Sequence, residues 1–363
     1  MTEQAVNKRI EIGGGRFQWL DIYKGIAIIL VIIGHLEISD GLYKYIYMFH
    51  MHAFFFAAGI TFKIKRNDTF TAILLKNIKG LYIPYLFFAF MWDITNMIIQ
   101  VTHGNHYDFT LSALVKNIFA VVIGRGIVYS NASIGPAWFL LCLFVVRITF
   151  WLILRGTSSI LLQFAICVIL FLLGYELRGH EFMPFFVIQS LTTYIFVFFG
   201  YALKEYWLTM VNALNTISLL IVAILSVSLT LILSHLSNCK LILLNNILPD
   251  NILIILGAAV SGIITIYSLS AILSKVKHVN TILIWCGINS LIIMGTHVEI
   301  RTGINMVLGN MLICNQLMAA IKTILILMIS FPIAYLLKAY CPLLVSAKHN
   351  TKEYNCDKIK TRL

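Results

Sequence analysis

Charge is the scarcest ingredient of this 363-residue chain: Asp, Glu, Lys and Arg together make up only 12% of it. Soluble domains carry roughly 25% charged residues. No segment here is polar enough to coat one. Proline is also rare, with six in all, and the seven cysteines form no CxxC pair. Most cysteines sit inside apolar runs and read as small buried hydrophobes. Cys239 and Cys314 fall in outer connections between runs, where a bridge in an oxidising periplasm is the minor alternative to free thiols. Walker loops, GxGxxG, HExxH and GxSxG are all missing, which leaves nucleotide-driven pumping and serine hydrolysis without support. There is no internal repeat, no low-complexity stretch and no linker.

What is abundant is apolar length. Sixty per cent of residues are hydrophobic and the mean hydropathy is +0.90. A helix needs roughly 20 apolar residues to cross a bilayer. About ten such runs can be marked: 20–38, 46–63, 80–101, 136–154, 159–176, 184–204, 211–236, 251–273, 281–298 and 318–341. Pro84, Pro136, Pro184 and Pro249 lie near the starts of runs, where a missing N–H costs least. Pro332 falls inside the last run and predicts a kink there. The expected fold is all-α, a polytopic transmembrane bundle of about ten helices. Lys8, Arg9 and Arg16 precede the first run and no small-residue cleavage site follows it, so a retained span is expected rather than a leader. The connection 102–135 holds an apolar stretch, Leu111–Val128, suited to a re-entrant or interfacial helix.

The basic residues orient this bundle. With the N-terminus inside, inner segments hold Lys63, Lys65, Arg66, Lys76 and Lys79, together with a basic tail; eighteen basic residues fall inside and seven outside. By the positive-inside bias both termini are cytoplasmic. The chain then divides into a cytoplasmic segment at 1–19, a transmembrane domain at 20–341 and a basic cytoplasmic tail at 342–363. The net charge of +12 follows from this topology, so membrane lipids are its surroundings and no nucleic acid is expected as a partner.

Ionisable side chains inside spans are costly, about 2.5–3.5 kcal/mol each on insertion scales, and tend to mark function. Run one holds Lys24 and His35. Eleven residues come within about 20° of three full turns, so both lie on one helix face, about 16 Å apart along the axis. They cannot touch one atom but can touch opposite ends of a long ligand. The plain alternative has Lys24 snorkelling beside Asp21 and His35 capping the helix. His50 and His52 in run two point away from each other, so no metal site is expected there or elsewhere. Asp93 and Asn96 in run three, Trp138 at the start of run four, and Asn289, His297 and Glu299 in run nine complete the polar set. His35, His50, Asp93, Trp138 and His297 fall in the outer half, and the lysine cluster at the inner rim. That polarity suits an anionic cytosolic ligand held inside and chemistry done further out.

These residues stand in a pattern that resembles the membrane acyltransferase-3 family, most closely its fucose 4-O-acetylase-like branch. RFQWLDIYKGIAIILVIIGH is similar to the family's opening helix, marked by a basic residue, ten residues and a histidine, here Lys24 and His35. MFHMHAFFFAAG resembles FHMPLFFFISG, with His50, Met51, Phe54 to Phe56 and Gly59 matched, but His52 stands where proline is usual and Ala58 where serine is common. LLKNIKGLYIPYL resembles the RxxRLLIPY element, with Lys76 and Lys79 replacing both arginines. PAWFLLCL and CGINSLIIMGTH resemble two later elements.

The resemblance implies an O-acyltransferase in a bacterial cytoplasmic (inner) membrane. It would move an acyl group, by family precedent acetyl, from cytosolic acyl-CoA to a sugar hydroxyl of an envelope glycan or lipid-linked sugar. Acetyl-CoA is then the donor. His35 is the general base or the transient acyl carrier, with His50, Asp93 or His297 to orient it. Lys24, Lys76 and Lys79 grip the CoA anion, and Trp138, Asn289 and His297 line the acceptor. No appended extracytoplasmic domain follows the last span, so the stand-alone form is expected. The alternative is a transporter or flippase for a lipid-linked sugar. Such proteins often show inverted repeats and paired broken helices, and neither is visible in the sequence.

Overall fold

The computed structural model describes residues 11–12, 16–65, 67–104, 107–124, 133–180, 184–276, 279–308 and 316–345. Arg66, Cys314 and the basic tail beyond Val345 lie outside the described residues, and with Cys314 the minor alternative of a Cys239–Cys314 bridge. The protein is an all-helical membrane bundle; a two-residue pairing of Glu11–Ile12 with Arg16–Phe17 precedes the first helix.

Every apolar run folds as helix. The first becomes α1 (Gln18–Gly34). A short α2 (Asp40–Tyr47) leads into α3 (His50–Ile60). Run three becomes α4, which spans Phe70–Thr102 and so begins ten residues before the apolar run does. Its extra length is accommodated by a π turn at Ile78–Tyr82, just ahead of Pro84. The expected interfacial stretch is a 13-residue helix, α5 (Leu111–Ile123), held against that turn. There Tyr82 donates to the Val122 carbonyl at 3.0 Å and Tyr85 to that of Val121. The long helices α6 (Trp138–Gly156) and α7 (Ile160–Glu176) follow.

Two runs are broken. Run six is a pair, α8 (Pro184–Leu191) and α9 (Tyr194–Ala202), bent by 65°; run nine is a pair, α10 (Val279–Ile288) and α11 (Ser290–Leu308), bent by 87°. The expectation of no paired broken helices is therefore overturned. The breaks carry no Gly–Pro signal: one falls at Thr192–Thr193 and the other at Asn289. Between these pairs lie α12 (Thr216–Leu236) and α13 (Ile252–Leu273), and α14 (Gln316–Tyr340) closes the bundle, passing through Pro332 without ending. By length and apolarity alone, five helices among the described residues can cross a membrane, or seven if each bent pair is one span. This is fewer than ten because α1, α3 and α7 are only 17, 11 and 17 residues long.

Small residues let these helices approach closely, as membrane interfaces favour. A Cβ on Gly25 of α1 would strike the Leu283 carbonyl of α10, and one on Gly287 of α10 would strike that of Asp21. Gly59 of α3 and Gly200 of α9 face Val197 and Phe56 backbone in the same reciprocal way. Helices α12 and α13 are joined by hydroxyl pairs instead: Ser226 with Thr265 at 2.8 Å and Thr230 with Ser261 at 2.7 Å. Outward-facing Leu161, Ile224, Leu225 and Met328 are exposed. Apolar surface on this scale would be a liability in water, and lipid covers it.

Candidate functional site

Three histidines close on one another where α1, α3 and α11 meet. His35 caps the C-terminus of α1, and its Nδ1 donates to the Val31 carbonyl at 2.9 Å. His50, the first residue of α3, donates from Nδ1 to Ile46 at 2.9 Å. His297 of α11 donates from Nδ1 to Met294 at 2.8 Å. A carbonyl can only accept, so each Nδ1 carries the proton and each Nε2 keeps its lone pair. The His35 and His297 rings meet edge to face with centroids 4.9 Å apart. Tyr47 bridges to the third histidine, 6.5 Å from His35 and 4.7 Å from His50, and is itself stacked on Tyr43 at 3.9 Å. His52 turns away, as its spacing predicts, and meets Phe196 at 4.6 Å.

Charge surrounds this cluster at its edge. Arg301, one turn beyond His297, donates from Nη1 to the His35 carbonyl and so ties α11 to the end of α1. Glu37, two residues past His35, pairs with Lys322 of α14 at 3.0 Å. Lys24 lies at the other end of α1, partly buried and paired with Asp21 at 2.9 Å, which is the partner that the snorkelling alternative names. Lys76 and Lys79 are exposed, and Lys79 sits within the π turn. Near this basic end a cleft of about 450 Å³ opens between Ile64–Lys65 and residues 154–158, with Lys65 and Arg155 on its rim.

The remaining expected residues have their polar and ring contacts with partners other than the three histidines. Asp93 accepts from the Ser133 backbone N–H at 2.9 Å, while the neighbouring Trp92 donates to Ser133 Oγ at 2.8 Å. Together they hold the turn that leads into α6. Trp138 is buried against Phe186 at 5.8 Å. Asn289 is buried at the α10–α11 break, where its side chain donates to the Trp285 carbonyl at 2.7 Å. No three His, Cys, Asp or Glu residues among those described gather to hold a metal.

A family profile described as an acyltransferase domain matches residues 17–339, which is most of the chain and takes in every candidate site residue. The chain belongs to the acyltransferase-3 family. No curated protein and no solved structure matches it. The protein is thus a membrane acyltransferase.

Several polar residues, at the histidine cluster and away from it, are not among those that the sequence pointed to. Arg147 lies in the middle of α6, where its Nε donates to Asn77 Oδ1 at 3.1 Å and its guanidinium lies 5.2 Å from the Phe62 ring centre. A lone arginine inside an apolar run was the signal that could have found it. Of the residues beside the histidines, Glu37 carried the same mark at the end of run one, whereas Arg301 lies beyond run nine and Tyr47 at the start of run two, where a tyrosine is common.

Proposed function

We propose that this acyltransferase carries an acetyl group from acetyl-CoA, held at the cytoplasmic side, to a hydroxyl of a bacterial cell-envelope glycan. The observation that carries the reading is the state of His35. Its Nδ1–H is committed to Val31, so its Nε2 lone pair is available to take the acceptor's proton. As the hydroxyl oxygen attacks the thioester carbonyl, that proton passes to Nε2. The carbon–sulfur bond then breaks, and the departing thiolate recovers a proton from the imidazolium. His297, edge-on to His35, and His50, linked through Tyr47, orient the ring, while Asp93 acts through the turn it holds.

On this reading Lys24, Lys76 and Lys79 take the phosphates of CoA as point charges. The thin acyl-bearing arm then covers the roughly 16 Å from Lys24 to His35. Both termini are cytoplasmic, 20–341 is the working domain, and the membrane is the bacterial inner membrane. Trp138, Asn289 and His297 are the acceptor-side residues. The experiment is proton NMR of envelope glycan from a deletion strain complemented with wild type or His35→Ala. An O-acetyl signal lost on deletion and restored by wild type alone supports the reading, and unchanged acetylation overturns it.

The transporter reading gains one observation, the two spans bent by 65° and 87°, since broken helices line many translocation paths. Accumulation of lipid-linked precursor with acetylation intact would favour it.

A further inference from the structure

Buried polar atoms without a hydrogen-bond partner are scattered through most of the described protein, but on α11 they collect. His297 Nε2, Arg301 Nε and Asn305 Oδ1 are all shielded from solvent and unpartnered. The carboxylate of Glu299 is unpartnered as well, and no other helix carries more than two such atoms. Unpaired buried polar groups cost about 1–3 kcal/mol each, so a concentration of them marks a place that a ligand completes.

The spacing orders three of these residues. Positions 297, 301 and 305 recur every fourth residue and form one stripe on α11. Glu299 lies about 160° round the helix from His297 and belongs to another face. The stripe begins at the His35–His297 contact of 4.9 Å, and Arg301 reaches the His35 carbonyl from it. From His297 to Asn305 it rises about 12 Å, the length of two sugar rings rather than one. Its free atoms alternate in kind: Arg301 Nε can only donate and Asn305 Oδ1 can only accept. A hydroxyl does both. Beside His35 the Tyr43–Tyr47 stack, with the Lys240 ammonium 4.9 Å from the Tyr43 ring centre, supplies aromatic edges that a sugar can pack against.

We propose that the stripe His297–Arg301–Asn305, with Tyr43 and Tyr47 alongside, is the seat of the acceptor. It would take a hydroxyl-bearing sugar chain of at least two rings, with the reacting hydroxyl at His35 and the next ring at Asn305. This rests on the acyltransferase reading for the direction in which the sugar is used, but the seat itself is a binding site and is tested as one.

The test uses the full chain in nanodiscs, because maltoside detergents present the very chemistry in question. Thermal unfolding is followed with a panel of methyl glycosides and disaccharides, each beside its permethylated form, and separately with acetyl-CoA. The result expected is that at least one disaccharide raises Tm while its permethylated form, which has no donor for Asn305, does not. Asn305→Leu should weaken that sugar's Kd about tenfold, the worth of one buried hydrogen bond, with the acetyl-CoA shift unchanged. Tyr43→Ala, far from the stripe in sequence, should weaken the same sugar if Asn305→Leu fails to fold. Wild type unmoved by every sugar would overturn the seat, as would either variant binding sugar as wild type does. A protein that binds sugars but ignores acetyl-CoA would instead sink the donor assignment and leave the seat standing.

Discussion

At the scale of single residues, tautomer matters more than position. His35, His50 and His297 each give Nδ1–H to the turn behind them, so the tautomer that leaves Nε2 open is set without a carboxylate. His35→Ala is expected to lower turnover about 10²–10⁴-fold, the usual span for a general base, with acetyl-CoA affinity kept, as read by steady-state kinetics beside calorimetry. Lys24→Ala should do the opposite, weakening acetyl-CoA binding while saturating turnover holds. Arg147 invites a different experiment. Its polar partner is Asn77, and Asn77→Leu would strand a buried guanidinium, costing about 1–3 kcal/mol. The double variant Asn77→Leu/Arg147→Leu should recover most of that stability, because two apolar groups need no partner. A double variant less stable than the single one, by thermal unfolding in detergent, would contradict this.

At the scale of helices, existence was legible in the sequence and geometry was not. Apolar length alone marked every run that became helix, and Pro136 and Pro184 stand at real starts. The break at Asn289 could not be seen, because Gly287, Asn289 and Ser290 read as isolated small or polar residues within one continuous apolar run and the bend is imposed by packing. The α1–α10 contact holds one half of the broken pair by backbone, and His35 with Arg301 holds the other half at the far end of α1. The polar residues of the site were likewise readable one at a time, as expensive groups in apolar runs. Which of them meet was not: His297 reaches His35, whereas Asp93, at a similar expected depth, is spent on Ser133. Thr230→Val, which deletes one hydroxyl between α12 and α13, is expected to cost only about 0.6 kcal/mol, the mean for such bonds in membranes. A loss several times larger in unfolding midpoint would mean that the hydroxyl pairs form a cooperative ladder.

At the scale of the molecule, the proposed orientation rests on the excess of basic residues in the segments assigned to the inner side. Alkaline phosphatase fused after Gly104 should be active and a fusion after Val345 inactive; the reverse pattern would invert the donor and acceptor sides together. Packing sets a second, stricter limit. Gly25 and Gly287 each lie against the other helix's main chain, as do Gly59 and Gly200. Carbonyl oxygens, unlike side chains, have no rotamer to retreat into. In a selection on randomised libraries these four positions would come back blank, tolerating neither alanine nor serine. Nearby apolar positions would accept exchange freely. Inheritance at this protein is thus most rigid where there is no side chain to inherit.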